Sequence, residues 1–226
     1  MVNSLIMSKI LVAITGLMMV GFVLGHTAAN ILVFLGPDLG RDLINAYAAG
    51  LKENPLLIWG ARIGLIVALI VHVLFTIKLT MLNKSSKPIG YKVTNTKRAN
   101  FASKGMALFG MVILFFVIYH LMHYTLGVTN PEFMELLDDK GRHDVYSMVV
   151  TGFQNPVVSL FYVLAVVALG FHLKHGIQSM VQTLGFSGNS LMQKTKRLSN
   201  LVSIIITLLL AFIPVSILFG LVKLGA

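Results

Sequence analysis

The sequence contains no cysteine. Disulfides, cysteine-ligated iron–sulfur clusters and the Cys-x-x-Cys-His attachment of a c-type haem are excluded together. Charge is also scarce: Asp, Glu, Lys and Arg make up 12% of the 226 residues, where a soluble domain carries roughly a quarter. Too little polar surface remains to cover a globule. What the chain has instead is 56% hydrophobic residues, gathered in runs of about 18 or more, the length a helix needs to cross hydrocarbon. The expected class is an all-α integral membrane bundle, a single transmembrane domain over residues 1–226.

Five apolar stretches are legible, approximately Ile10 to Leu35, Leu57 to Leu82, Gly105 to Val128, Pro156 to Val181 and Leu198 to Leu224. The first is too long for the apolar region of a signal peptide and runs past any cleavage point. The net charge of +10 does not point to nucleic acid, because of where it sits. Between spans two and three lie Lys84, Lys87, Lys92, Lys97, Arg98 and Lys104, and between spans four and five lie Lys194, Lys196 and Arg197, with no acid in either connection. All eight acids fall in the other two: Asp38, Asp42 and Glu53 in the first, Glu132, Glu135, Asp138, Asp139 and Asp144 in the third. Lys and Arg mark the cytoplasmic side, so the N-terminus is expected inside and the C-terminus outside. The third connection, Thr129 to Asn155, is expected to fold over the outer face.

Histidine is the remaining supply of metal ligands. Four spans carry one each within their apolar part: His26, His72, His120 and His172. An ionisable group at that depth costs a few kcal/mol and tends to face the bundle interior. At 1.5 Å per residue, His26 stands about 25 Å above Lys9 and His120 about 24 Å above Lys104, a shared outer level. His72 and His172 come late in descending spans, near Lys78 and Lys174, and share a deeper level. Two imidazole pairs stacked across a bilayer suit bis-histidine haem, whose six-coordinate iron moves electrons and binds no substrate. Gly21 and Gly25, one turn before His26, give a small-xxx-small spacing that suits a haem edge or a packed helix equally. Interhelical hydrogen bonding is the alternative for each histidine taken singly. Zinc is less suited, wanting about four ligands at one level.

His172-Leu-Lys-His175-Gly176-Ile-Gln-Ser179-Met-Val-Gln182-Thr-Leu-Gly185 resembles the fourth-helix ligand motif of the di-haem cytochrome b membrane-anchor subunit of succinate dehydrogenases and fumarate reductases. Gly25-His26-Thr-Ala-Ala-Asn30, Ile70-Val-His72 and Tyr119-His120-Leu-Met-His123 fall where that family places its other ligands. The resemblance implies His26 with His120 on the outer haem b, and His72 with His172 on the inner one. It implies a flavoprotein that interconverts succinate and fumarate, and an iron–sulfur subunit on the cytoplasmic face. It further implies a quinone, menaquinone in two-haem members, near the outer haem, and the cytoplasmic membrane of a prokaryote. The anchor itself would bind neither succinate nor fumarate. Gly170 departs from members that carry a glutamate two residues before the fourth-helix ligand, which puts a proton path through that position in doubt.

Haem propionates need cationic partners when partly buried, which nominates Arg62 for the outer haem and Lys78 or Lys174 for the inner one; a snorkelling helix-end cation is the alternative. His123 and His175, three residues past a ligand, read as hydrogen-bonding neighbours. Glu53, before span two, is the candidate for quinone-linked proton exchange, against a plain solvated acid. His143 reads as a solvated loop residue and Trp59 as an interfacial anchor. Two rival functions stand beside electron transfer in a succinate–quinone or fumarate–quinone enzyme. One is the cytochrome b anchor of another quinone-linked enzyme, such as a hydrogenase or formate dehydrogenase. The other is a proton-coupled transporter with a histidine relay, against which stand the absence of acids from the spans and the single mid-span proline, Pro214.

Overall fold

The computed structural model describes residues 4–85, 105–186 and 188–225. Helices α1 (Leu5–Asn30), α2 (Gly36–Glu53), α3 (Pro55–Ser85), α4 (Met106–Tyr124), α5 (Val145–Phe153), α6 (Pro156–Thr183) and α7 (Asn189–Leu218) carry the fold, with 3₁₀ turns at Ile31–Leu35 and Pro131–Glu135. Five helical stretches are long and apolar enough to cross a membrane; α1, α3, α4, α6 and α7 supply them. Their outward faces carry large exposed apolar side chains, such as Ile66, Ile70 and Leu74 on α3 and Leu201, Ile204 and Leu208 on α7. That is the face lipid requires. The expected all-α five-helix bundle is therefore found.

Two boundaries differ from the sequence expectation. Helix α7 begins at Asn189, so Lys194, Lys196 and Arg197 ride on its first turns and do not form a loop. A helical backbone satisfies its own polar groups, and extending it past the hydrocarbon carries the cations to the surface without a break. The connection between the first two spans is the larger difference: it is a helix, α2. Its polar residues, Asp38, Arg41, Asp42, Asn45 and Lys52, hide an apolar face in a hydropathy reading. The chain reverses into it through a 3₁₀ turn and Gly36, whose φ of +87° only glycine adopts readily. The approach is so close that a Cβ on Gly40 would lie 2.6 Å from the Leu32 carbonyl oxygen.

Charged groups clamp α2 to the 129–155 segment, which folds over this acidic end of the bundle. Arg41 donates from Nη2 to Asp144 Oδ2 at 2.6 Å, and Asn45 donates from Nδ2 to Asp144 Oδ1 at 3.0 Å. Asp144 also caps α5 by accepting from Ser147 N–H at 3.1 Å. Arg142 reaches both Asp42 and Asp138. Burial alone would raise the Asp144 carboxyl, but the hydrogen bonds from Arg41, Ser147 and Asn45 outweigh it and hold the group below the usual carboxylate range. Beneath the clamp lies the main buried cluster, with Val33, Tyr146, Val150, Phe153, Tyr162 and Ile217. A smaller one, Leu173, Ile177 and Ile206, lies toward the basic end.

Candidate functional site

Close backbone packing joins α1 to α3, α1 to α6, α4 to α6 and α6 to α7. The histidines meet along two further pairings, α1 with α4 and α3 with α6. His26 of α1 faces His120 of α4, with ring centroids 5.8 Å apart and planes at 89°. His72 of α3 faces His172 of α6 at 6.3 Å and 62°. These are the two pairs expected from depth. Thr15, in contact with His72, precedes His26 by eleven positions on α1, about 16 Å of helix rise. Gly110, facing His172, precedes His120 by ten positions on α4, about 15 Å. Two levels therefore stand some 15 Å apart.

A metal–imidazole bond of about 2 Å puts the ring centre roughly 3 Å from the metal, so two axial imidazoles have centres about 6 Å apart. Both pairs have that spacing. Among the described residues, no group of three or more His, Asp or Glu side chains is placed to hold a metal, which disfavours a zinc cage built by protein alone. A planar macrocycle that brings its own four nitrogens asks only for two axial donors. The donor set fits that group.

Hydrogen bonds select which nitrogen each ring can offer. His72 Nδ1 lies 3.2 Å from the Val12 carbonyl oxygen, which can only accept, so Nδ1 carries the proton and Nε2 keeps its lone pair. Thr15 Oγ1, itself donating to Leu11 O at 2.7 Å, sits 3.2 Å from the same nitrogen. His120 Nδ1 and His123 Nδ1 lie 3.3 Å and 3.0 Å from one phenol oxygen, Tyr162 Oη. His172 Nδ1 is buried without a hydrogen-bond partner among the described residues. His72 and His172 each turn the Cε1–Nδ1 edge toward a glycine of a neighbouring helix: a Cβ on Gly16 would lie 3.4 Å from His72 Cε1, and one on Gly110 3.6 Å from His172 Cε1. Anything larger than alanine there would displace the ring.

The structure locates the other expected residues as follows. Cβ atoms at Gly21 and Gly25 would meet no described atom within 4 Å, so no described helix packs against them and space is left beside His26. Gly170 is filled by its neighbour: a Cβ would collide with the Thr207 hydroxyl of α7, and a glutamate has no room. Arg62 is exposed, with its guanidinium 5.1 Å from the ring centre of Trp59. Lys78 lies over Phe75 at 5.6 Å; Lys174 and His175 are half-buried on α6. Glu53 is exposed at the end of α2 and lines an open depression with Ala49, Lys52, Gly141, Arg142 and His143. His143 is not the freely solvated residue expected: it pairs in a short antiparallel bridge with Leu137 and is half-buried, because the segment folds back on α2. Burial, then Lys52 nearby, pushes its imidazole below the ordinary histidine value. Of the basic connection between spans two and three, Lys87, Lys92, Lys97, Arg98 and Lys104 lie outside the described residues.

Sequence reasoning missed Thr15, Gly16, Gly110 and Tyr162. A tyrosine in an apolar span reads as one more hydrophobic ring, and only the fold shows that its hydroxyl ends between two imidazoles. The family model for the succinate dehydrogenase/fumarate reductase transmembrane subunit matches residues 91–213, just over half of the chain. His120 and His172 lie within the match; His26 and His72 precede it. Comparison with curated proteins and with solved structures gave no match.

Proposed function

The chain belongs to the succinate dehydrogenase/fumarate reductase transmembrane subunit family, and from that premise we propose that it holds two b-type haems and passes electrons between a membrane quinone and the soluble subunits of the complex. The observation that carries the proposal is the spacing of two imidazole pairs, 5.8 Å and 6.3 Å between centroids, at separate levels of the bundle. Each haem, when bound, supplies a one-electron iron couple. The chain's own part is to grip, orient and insulate. His26 and His120 form the axial pair at the acidic end, His72 and His172 the pair at the basic end. The Val12 carbonyl and Thr15 fix the tautomer of His72. Arg62 at one end, with Lys78 or Lys174 at the other, supplies cations for propionates, and His123 and His175 lie in the hydrogen-bonding shell.

The positive-inside rule orients the acidic end outward, so the basic end faces the flavoprotein and iron–sulfur partners on the cytoplasmic side of a prokaryotic inner membrane. The quinone, menaquinone by the family's habit, belongs near the outer pair. Glu53, in its depression with Lys52 and His143, is the group that exchanges protons there with water. Family membership sets aside a hydrogenase or formate dehydrogenase anchor.

The test is haem quantification and a reduced-minus-oxidised spectrum of the purified complex, with each of His26, His72, His120 and His172 replaced by alanine. Two b-type haems in the parent are expected, with one lost in each variant. A colourless complex would end the proposal.

A further inference from the structure

One phenol hydroxyl joins two imidazoles at the acidic-end level, and this contact has a single workable proton arrangement. If His120 holds a haem with His26 as proposed above and offers Nε2, its Nδ1 carries the proton and donates to Tyr162 Oη, 3.3 Å away. Tyr162 is buried, and its own O–H then has His123 Nδ1, 3.0 Å away, as acceptor. His123 is 1% exposed and wedged against Tyr124, with ring centroids 4.0 Å apart, and against Phe133 at 5.7 Å. It cannot turn away from the hydroxyl without opening that packing. Phe116 and Phe153 meet the Tyr162 ring edge-on, both with centroids 4.9 Å apart, so the phenol is held as well.

We propose that Tyr162 and His123 form a fixed hydrogen-bond chain, His120 Nδ1–H to Tyr162 Oη–H to His123 Nδ1, that sets the orientation and electron-donating strength of the outer axial ligand. Both are positioning residues acting through His120. A ligating imidazole whose second N–H is accepted by a neighbour is the more basic donor. A more basic donor favours the oxidised iron and lowers the centre's potential. The accepting oxygen is strengthened in turn because its own proton is given to His123. At the inner pair His72 Nδ1 instead meets the Val12 carbonyl oxygen and Thr15 Oγ1, whose proton goes to the backbone carbonyl of Leu11, so no second imidazole ends the chain there.

The experiment uses the intact complex with its partner subunits, an equilibrium redox titration followed at the haem absorption band, and the electron paramagnetic resonance spectrum of the oxidised state. Tyr162→Phe is expected to keep both haems, to raise the potential of the centre that His120→Ala abolishes, and to move that centre's resonance while leaving the other unchanged. His123→Leu should shift the same centre in the same direction by less. His123→Gln, whose amide oxygen can accept from Tyr162, should restore the parent value. Two haems with unchanged potentials and spectra in Tyr162→Phe would overturn the chain and leave the haem assignment standing. If Tyr162→Phe fails to assemble, an unchanged potential in His123→Leu overturns it equally. A parent complex without haem overturns both.

Discussion

The two ends of the bundle solve the same task differently. At the acidic end the histidine pair lies under a roof of buried aromatic rings, and His120 Nδ1 meets a side-chain hydroxyl. At the basic end the buried cluster is small, His72 leans on the Val12 carbonyl and Thr15, and His172 Nδ1 finds no partner among the described residues. One level is built from side chains that can be changed singly. The other is built mainly from main chain and glycine notches, with Thr15 beside His72, so its geometry follows from how α1, α3, α4 and α6 pack. The acidic-end imidazoles are thus tunable by substitution, and the basic-end imidazoles are held mainly by architecture.

The largest test of this contrast is loss of a ligand. Replacing His26 or His120 should remove one haem and replacing His72 or His172 the other, with the surviving centre spectrally intact; loss across the pairs would break the division into two levels. Next in size is Gly170→Glu, which drives a carboxylate into Thr207 and should prevent assembly or cut the yield of membrane-inserted protein by most of its value. A tolerated substitution with normal haem content would show that α6 and α7 do not meet as described.

Asp144→Ala should cost about 3 kcal/mol, since it leaves Arg41 and Asn45 without their buried acceptor. Its pH dependence follows from sign. The folded carboxyl titrates below its unfolded value, so its stabilisation is present above about pH 4 and fades as pH falls toward the lowered folded value. Melting curves in detergent should show the parent converging on Asp144→Asn as the pH is lowered below about 4; parallel curves would count against the clamp. Smallest is Thr15→Val, which removes a hydroxyl but leaves the Val12 carbonyl as acceptor. It should change stability by less than about 1 kcal/mol and leave the inner potential near the parent's, unlike Tyr162→Phe at the other level.

Much of the site was legible because helix rise is a fixed ruler. Counting from Lys9 and Lys104 placed His26 and His120 together, and the ring distances agree. What stayed hidden depends on contacts remote in sequence. Arg41 and Asp144 are 103 residues apart, and neither carries a local signal that it will pair. Helix α2 was hidden for another reason: half of its face is charged, so a hydropathy count registers a loop where an amphipathic helix lies across the bundle end. His143 was misjudged for the same cause, since its partial burial comes from α2 being there. Gly21 and Gly25 were read as open to either a haem or a helix, and only the packing removes the helix of this chain from that choice.

Helix α7 contributes no ligand, yet the Thr207 hydroxyl seated in the hollow at Gly170 makes it a depth gauge. A knob on one rod and a dent on its neighbour permit a single sliding position, and the dent lies two residues from His172. The height of that imidazole is thus coupled to the packing of α6 on α7, through a residue on another helix. Swapping Thr207 for a bulkier side chain would shift α6 against α7 and carry the His172 imidazole with it.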